Sequence, residues 1–378
     1  MASKRVYLDF NATAPLHPAA REAMGRALNL CGNASSVHAE GRAARQLVET
    51  ARAAIAGFAG VPAKGVIFTS GATEANNLII FGRVSNPRNS LILLSGEHSS
   101  SYSPSVFLRQ NGIEVDYVPL LENGMADLGA LKKLVRTSTA LVCFSLVNSD
   151  TGAIQDAREI VRIVKSQNPK THVHCDAVQG FCKFDFDVEE LGLDSVCISA
   201  HKIHGSKGIG AMWLKKGITL RPMMFGGSDH GFRPGTENNA GILGFAKAVE
   251  VFDTKENFEH VRKLRARLVE GLPDGVTLST ELSQMGGVPV LENPYITSLH
   301  LSGVLGSHAL NALSSRGIYV GLGSACSSRA TKNRTLLAMG LSERQSQQII
   351  RVSFAHYNTP EEVDAFLKSL GEVLAELR

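Results

Sequence analysis

The chain has 378 residues, too long for one small core, so a large domain with a smaller companion is expected. Its 44% hydrophobic and 20% charged residues exclude a disordered chain, and a net charge of +4 with both signs interspersed and no basic block argues against nucleic acid. The N-terminus, MASKRVYLDF, lacks the apolar core of a signal peptide, and no apolar run reaches the roughly 18 residues of a membrane helix, so a cytoplasmic protein without a membrane partner is expected. In chain order, GVIFTS (65–70) reads as a strand ahead of a helix opening at Ala72. SLILLS (90–95) precedes a helical stretch near 101–110, and ALVCFSLV (140–147) precedes one from Asp156 to Lys165. HVHCDA (172–177), SVCIS (195–199) and IGAMWL (209–214) follow. Continuous apolar strands separated by helices predict an α/β fold with a mainly parallel sheet covered on both faces. Near residue 255 the style changes to a charged amphipathic helix (256–271), then YITSLHL, IYVGLG and IIRVSF, then a closing helix from about 360, which reads as α+β. The expected division is a large domain over 15–255 and a small one built from 1–14 and 256–378.

Ligands of such sheets sit at the carboxyl ends of the strands, so the residues just beyond each strand matter most. Thr69 to Glu74 opens a helix with small residues and hydroxyls, which suits either an anion or a plain helix cap. His98 follows the next strand, where an imidazole either stacks on a ring and moves protons or serves structure. Asn148 offers an amide to a carboxylate, or turn chemistry, which Asn148-Ser149-Asp150-Thr151-Gly152 suits equally. Asp176 ends an apolar strand, where a carboxylate is costly unless a cation or strong donor meets it. His172 and His174 share a strand face with Asp176, yet no spacing supplies a completing ligand, so no metal is expected. Lys202 follows SVCIS between two histidines; desolvation there lowers a lysine's pKa and makes it a nucleophile able to form a Schiff base. An anion cradle, a buried Asp and a buried Lys at neighbouring strand ends are what pyridoxal phosphate requires. Six cysteines are present with no C-x-x-C pair; Cys143, Cys175 and Cys197 lie in strand-like runs and read as small buried hydrophobes.

The motifs YLDFNATAP, FTSGATEANN, HCDAVQ, SAHKIHGSKGIGA, FRPGTEN, GSACSS and IIRVSF occur in one order along nearly the whole chain. In this the sequence resembles the cysteine desulfurases and selenocysteine lyases of the class V aminotransferase group, pyridoxal phosphate enzymes of fold type I. The resemblance implies that Lys202 carries the cofactor and then transfers protons. Asp176 would meet the pyridine nitrogen, Gln179 the phenolic oxygen and His98 the ring face. Ala72, Thr73, Ser199 and His201 would hold the phosphate. Thr236 would reach the phosphate of a neighbouring subunit, which implies a homodimer with shared active sites. Arg351 and Asn148 would clamp the substrate carboxylate, with Asn11 in the N-terminal substrate segment. Cys326, in GLGSACSSRATKNR, would attack the substrate sulfur and hold it as a persulfide for a protein acceptor, its thiolate favoured by Arg329, Lys332 and Arg334.

The implied reaction converts L-cysteine to L-alanine. A selenocysteine lyase, another class V lyase or aminotransferase, and a non-catalytic sulfur-relay protein remain alternatives. Two departures stand out: the family usually follows Asn148 with Asn-Glu where this chain has Ser149-Asp150, and commonly has proline where Ser206 stands. The sequence stops at LAELR, short of the further tail by which the family's housekeeping members dock an iron–sulfur scaffold, which weakens the expectation of that partner.

Overall fold

A computed structural model describes residues 5–185, 187–226, 233–281, 293–323 and 333–378. The chain opens with β1 (Val6–Tyr7), α1 (Pro18–Ala27) and α2 (Ala39–Ala59). It continues through β2 (Val66–Thr69), α3 (Ala72–Arg83), β3 (Ser90–Leu94), α4 (Ser99–Gln110), β4 (Glu114–Val118), α5 (Leu128–Leu134), β5 (Thr139–Ser145) and α6 (Ala157–Gln167). Then come β6 (His172–Asp176), β7 (Ser195–Ser199), β8 (Gly210–Leu214), α7 (Asn239–Glu250), α8 (Thr254–Glu270) and β9 (Val276–Leu278). The last described elements are β10 (Ile296–Leu301), α9 (Gly306–Ser315), β11 (Ile318–Tyr319), α10 (Arg334–Ala338), α11 (Glu343–Gln347), β12 (Ile349–Ser353) and α12 (Pro360–Leu377).

Seven strands form one sheet in the order β2-β8-β7-β6-β5-β3-β4. Its neighbours pair in parallel except β8, which runs antiparallel to both β2 and β7. The exception is a matter of length: residues 200–209 are too few for the crossover that a parallel return needs. Alternate residues of the strands enter different cores. Ile92, Val142, Phe144 and Val173 pack into one, while Leu91, Leu93, Leu141 and Cys143 pack into the other. With both faces covered, no strand position is left for a solvated polar residue, so the sequence reads as continuous apolar runs. Each such side chain contributes about 1.5–3 kcal/mol on burial. Cys143, Cys175 and Cys197 are buried as expected.

β4 is the strand that the apolar pattern misses. Its sequence EVDYV carries two acids at the sheet edge, where Arg136 pairs with both Glu114 and Asp116. A second sheet pairs β10 with β12 and β9, all antiparallel. β1 pairs in parallel with β11, and Asp9 bridges to Ser353 just beyond. The N-terminal segment is thereby held against the C-terminal third before it runs back across the large sheet. IYVGLG yields the two-residue β11 and then a single antiparallel bridge from Gly321 to Arg351, where a Cβ on Gly321 would lie 2.7 Å from Arg351 Nη2. No helix among the described residues is long and apolar enough to cross a membrane.

Candidate active site

At the carboxyl ends of β2, β5, β6 and β7, a cavity of about 450 Å3 opens between the large sheet and the segment after β1. Register explains the convergence. Thr69 and Ser199 both pair with Gly210, and Asp176 pairs with Ser145 and Cys197, so these strands end at one level. Gly210 cannot carry a side chain: its Cβ would lie 2.6 Å from Ile198 O and 2.8 Å from Gly71 Cα. That close approach sets the start of α3 against the end of β7.

Lys202 reaches the cavity because β7 stops and a tight turn follows. Gly205 N–H donates to Ala200 O at 2.8 Å, with His204 in the left-handed region at φ 65°. A non-glycine residue in that region is costly, and here its Nδ1 lies 3.1 Å from Pro15 O. The Lys202 ammonium donates to Asn11 O at 2.5 Å and Ala12 O at 2.8 Å. Gln179 Nε2 donates to the same Asn11 carbonyl at 3.1 Å. Asn11 is itself buried, fixed by Ser353 Oγ on its N–H and by Ser149 O on its Nδ2, while its Oδ1 has no partner.

Asp176 is buried, accepting from Asn76 Nδ2 at 2.8 Å and Val178 N–H at 3.1 Å. His98 caps α4 through Nδ1, which accepts from Ser100 N–H at 3.1 Å. Burial lowers its pKa, with Lys202 adding to the effect and Asp176 opposing it, so the ring is neutral. His201 lies 3.2 Å from Thr13 Oγ1 through Nδ1, and burial beside Lys202 pushes its pKa down to about 4. α3 opens at Gly71, which lends no side-chain cap, so the N–H groups of its first turn face the cavity wall formed by Ala72, Thr73 and Ser199. A Cβ on Gly71 would lie 3.9 Å from Ser199 Oγ and narrow that cradle.

Arg351, in the middle of β12, is 2% exposed, the largest fully buried side chain among the described residues. Its Nη2 pairs with Asp9 Oδ1 at 2.9 Å, and its Nη1 donates to Ser149 O at 3.1 Å and lies 3.7 Å from Asp150 Oδ1. Its Nε and Asp150 Oδ1 have no hydrogen-bond partner. Asn148 does not line the cavity. Its Oδ1 accepts from Asp150 N–H, Thr151 N–H and Thr151 Oγ1, and its Nδ2 donates to Gly96 O, so the side chain organises the turn. Thr236 is exposed and lines a neighbouring cavity of about 820 Å3 that shares Ser70 and Gly208 with the first. Cys326 lies outside the described residues, as do Arg329 and Lys332. Arg334 is described: its Nη2 donates to Glu97 O at 3.1 Å, and its guanidinium stacks 3.6 Å from the Tyr102 ring centre.

Ten of the thirteen residues picked out in the sequence thus meet in one cavity: Asn11, Ala72, Thr73, His98, Asp176, Gln179, Ser199, His201, Lys202 and Arg351. Their donor set fits pyridoxal phosphate. A helix N-terminus with hydroxyls faces one end, a buried carboxylate and a lysine the middle, and an arginine with an unpartnered Nε the other end. A model of the aminotransferase class-V family matches residues 6–366. The chain belongs to the class-V aminotransferase family. Within that family it is similar to cysteine desulfurase IscS 1 of Archaeoglobus fulgidus, 33% identical over 98% of this chain and 97% of the relative. Cysteine desulfurase IscS of Dictyoglomus turgidum is 34% identical over 99% and 96%. Among solved structures, a NifS-like protein superposes with a TM-score of 0.91 at 36% identity over 99% of this chain and all of the other. SspA in complex with cysteine gives a TM-score of 0.82 at 26% identity over 94% of this chain and all of the other. The fold is accordingly that of the family's pyridoxal phosphate enzymes.

Two buried ionisable groups at the site escape sequence reading. Lys183 donates to Gln179 Oε1 at 3.2 Å, and burial, with Lys202 adding to it, pushes its pKa down to about 7. The lysine inside GFCKFDF was the available signal, of the same kind as that for Lys202. Glu97 accepts from Ser145 N–H at 2.8 Å and Ser145 Oγ at 2.7 Å. Burial pushes its carboxyl from 4.5 up to about 8, against those hydrogen bonds and with help from Asp176, so it holds its proton at neutral pH. A folded value above the free one means that this group's contribution is complete below 4.5 and lost as pH rises through about 8. Urea denaturation across that window should show native stability falling relative to Glu97→Gln by up to ~1.4 kcal/mol per pH unit. A constant difference would remove the neutral-carboxyl assignment.

Proposed function

We propose that this class-V enzyme is a cysteine desulfurase that uses pyridoxal 5'-phosphate, turning L-cysteine into L-alanine and passing the sulfur to Cys326. The observation that carries the reading is one cavity holding Lys202, Asp176 and Arg351 together, since these match the amine, the electron sink and the carboxylate of an amino acid reaction. Pyridoxal phosphate, when bound, supplies an aldehyde for the amino group and a ring that accepts electrons from Cα. Ala72, Thr73, Ser199 and His201 would hold its phosphate. Asp176 would face the ring nitrogen, Gln179 the phenolic oxygen and His98 the ring face. Lys202 is the amine that would hold the cofactor's aldehyde and the base that would move the Cα proton. Arg351 receives the substrate carboxylate, with Asn11 and Asn148 ordering the segment beside it.

The sulfur step balances without another reactant. The Cys326 thiolate attacks the substrate sulfur, the Cβ–S bond breaks toward carbon, and protons complete alanine and a protein persulfide. A thiol of an acceptor protein then takes the outer sulfur and restores Cys326. The reading includes a homodimer in which Thr236 serves the partner's phosphate, a large domain over 15–255, a small one from 1–14 and 256–378, and a cytoplasmic setting. The IscS name of its relatives fits sulfur supply for iron–sulfur clusters.

The test is alanine release from L-cysteine and, separately, from L-selenocysteine, by native protein and Cys326→Ala. Turnover of cysteine that disappears in the variant, while selenocysteine turnover survives, is expected. Alanine from selenocysteine alone, equal in both proteins, would replace the reading with a selenocysteine lyase. No alanine from either would move the activity to another thio-amino acid.

A further inference from the structure

Beneath the cofactor end of the cavity, Asp176 and His98 are joined by buried polar side chains to which the proposed reaction gives no role. Asn76, fully buried in the second turn of α3, is their hub. Its Nδ2 donates to Asp176 Oδ2 at 2.8 Å and Ser100 Oγ at 2.9 Å, and its Oδ1 lies 2.8 Å from His174 Nε2. Ser100 Oγ lies 2.8 Å from His98 Nδ1. On the far side, Ser195 Oγ lies 2.7 Å from both His174 Nδ1 and His172 Nε2.

One carboxyl orders the protons in this chain. Asp176 accepts from Val178 N–H on Oδ1 and from Asn76 on Oδ2, so the amide edge facing it is the NH2. Oδ1 then faces His174, and Nε2 of that ring carries the proton. Burial pushes the His174 pKa down to about 4, so the ring is neutral, Nδ1 is bare, and Ser195 donates its hydroxyl proton there. Ser195 Oγ therefore accepts from His172 Nε2–H, and His172 Nδ1 is left bare. That nitrogen is indeed buried without a partner, where a protonated one would leave a donor unmet. On the near side, Ser100 Oγ accepts from Asn76 and donates to His98 Nδ1, which also accepts from Ser100 N–H. The neutral His98 ring thus carries its proton on Nε2.

We infer that Asn76 is a positioning residue of this site, its single amide tying Asp176 and His98 into one proton-ordered network that fixes the Asp176 carboxyl in place and holds His98 as an Nε2–H donor. The geometry stands by itself; its catalytic consequence rests on the cofactor reading above. The titratable groups that feel Asp176 are Glu97, His98 and His174, with Cys143, Cys175 and Cys197 behind them. All three cysteines are held as thiols by burial, and Cys197 Sγ lies 3.1 Å from Asn76 Oδ1 as a second, weaker donor.

The test is long-range 1H–15N NMR of the histidine rings in the cofactor-loaded protein, assigned with His98→Gln, His172→Gln and His174→Gln. The native protein should show all three rings neutral with the proton on Nε2. A proton on Nδ1 of His98 or His174 would overturn the proposal, and this holds whether or not any Asn76 variant folds. Asn76→Leu then removes the hub at similar volume. The His174 ring should lose its fixed tautomer, and kcat for cysteine should fall severalfold with KM little changed, because Asp176 and His98 lose the donor that links them. Native-like ring signals together with an unchanged kcat would show that Asn76 only fills space. The ring signals report the network and the visible absorbance of the loaded protein reports the cofactor, so failure of one is separable from failure of the other.

Discussion

Lys202→Ala should remove the yellow colour of the lysine-bound cofactor and lower alanine release from cysteine by roughly 10⁴-fold or more, the upper end of what one proton-transferring group supplies. Two losses combine in this variant. The aldehyde loses its amine nucleophile, and the Cα proton loses the base that receives it. The geometry also gives the lysine a structural duty, since its ammonium bonds to Asn11 O and Ala12 O and so pins the segment that closes the cavity. Lys202→Arg separates the duties. A guanidinium keeps the charge and the donors, so stability should return to near native, while turnover should not, because arginine stays protonated. Added primary amines should restore part of the lost rate in Lys202→Ala if proton transfer is what is missing. An undiminished visible band in Lys202→Ala would mean that another amine carries the cofactor, and Lys183, buried with a pKa near 7, would be next to test.

How much of this was legible depends on what kind of force places each residue. The strand ends were readable because burial on both faces makes β2, β3, β5 and β7 mainly apolar runs, and any polar residue that interrupts or ends one stands out; β6 is equally buried but carries His172 and His174. Asp176, Ser199 and Lys202 were found that way. Asn148 offers its Nδ2 to a carboxylate; in the structure that Nδ2 donates to Gly96 O, and three donors of its own turn take its carbonyl. Local turn chemistry and ligand binding use the same residue types, so sequence leaves that choice open. Asn76 was unreadable because one asparagine in a helix gives no sign of three buried partners brought from α4 and β6. Asp9 escaped for a related reason: its partner Arg351 is some 340 positions away in sequence, and only the pairing of β1 with β11 and the Asp9 bridge to Ser353 bring them together. β8 was read as a strand, but its reversed direction follows from the length of the connection and not from its composition.

Arg351→Met is expected to have the second largest effect, and it should appear in both stability and activity. Arg351 sits between Asp9 and Asp150, the latter in the Ser149-Asp150 departure from the family's usual Asn-Glu. Replacing it with an apolar side chain of similar length leaves the buried Asp150 and the half-buried Asp9 without their cation, a loss of up to about 3–5 kcal/mol in unfolding free energy. For L-cysteine, kcat/KM should fall roughly a hundredfold or more, since the substrate carboxylate loses its charged partner. The two effects separate by a second change. Asp9→Asn combined with Arg351→Met removes one of the stranded charges, so the double variant should regain stability while remaining as poor a catalyst as the single one. The resting contacts give this prediction a further consequence. The guanidinium already meets an anion on Nη2 and another near Nη1, so an incoming carboxylate must share or displace them, and only Nε begins without a partner. Asp150→Asn should therefore tighten substrate binding, seen as a lower KM for cysteine with kcat little changed. A raised KM in Asp150→Asn would mean instead that Asp150 holds Arg351 in its binding position, so that its charge orients the clamp and does not compete with the substrate.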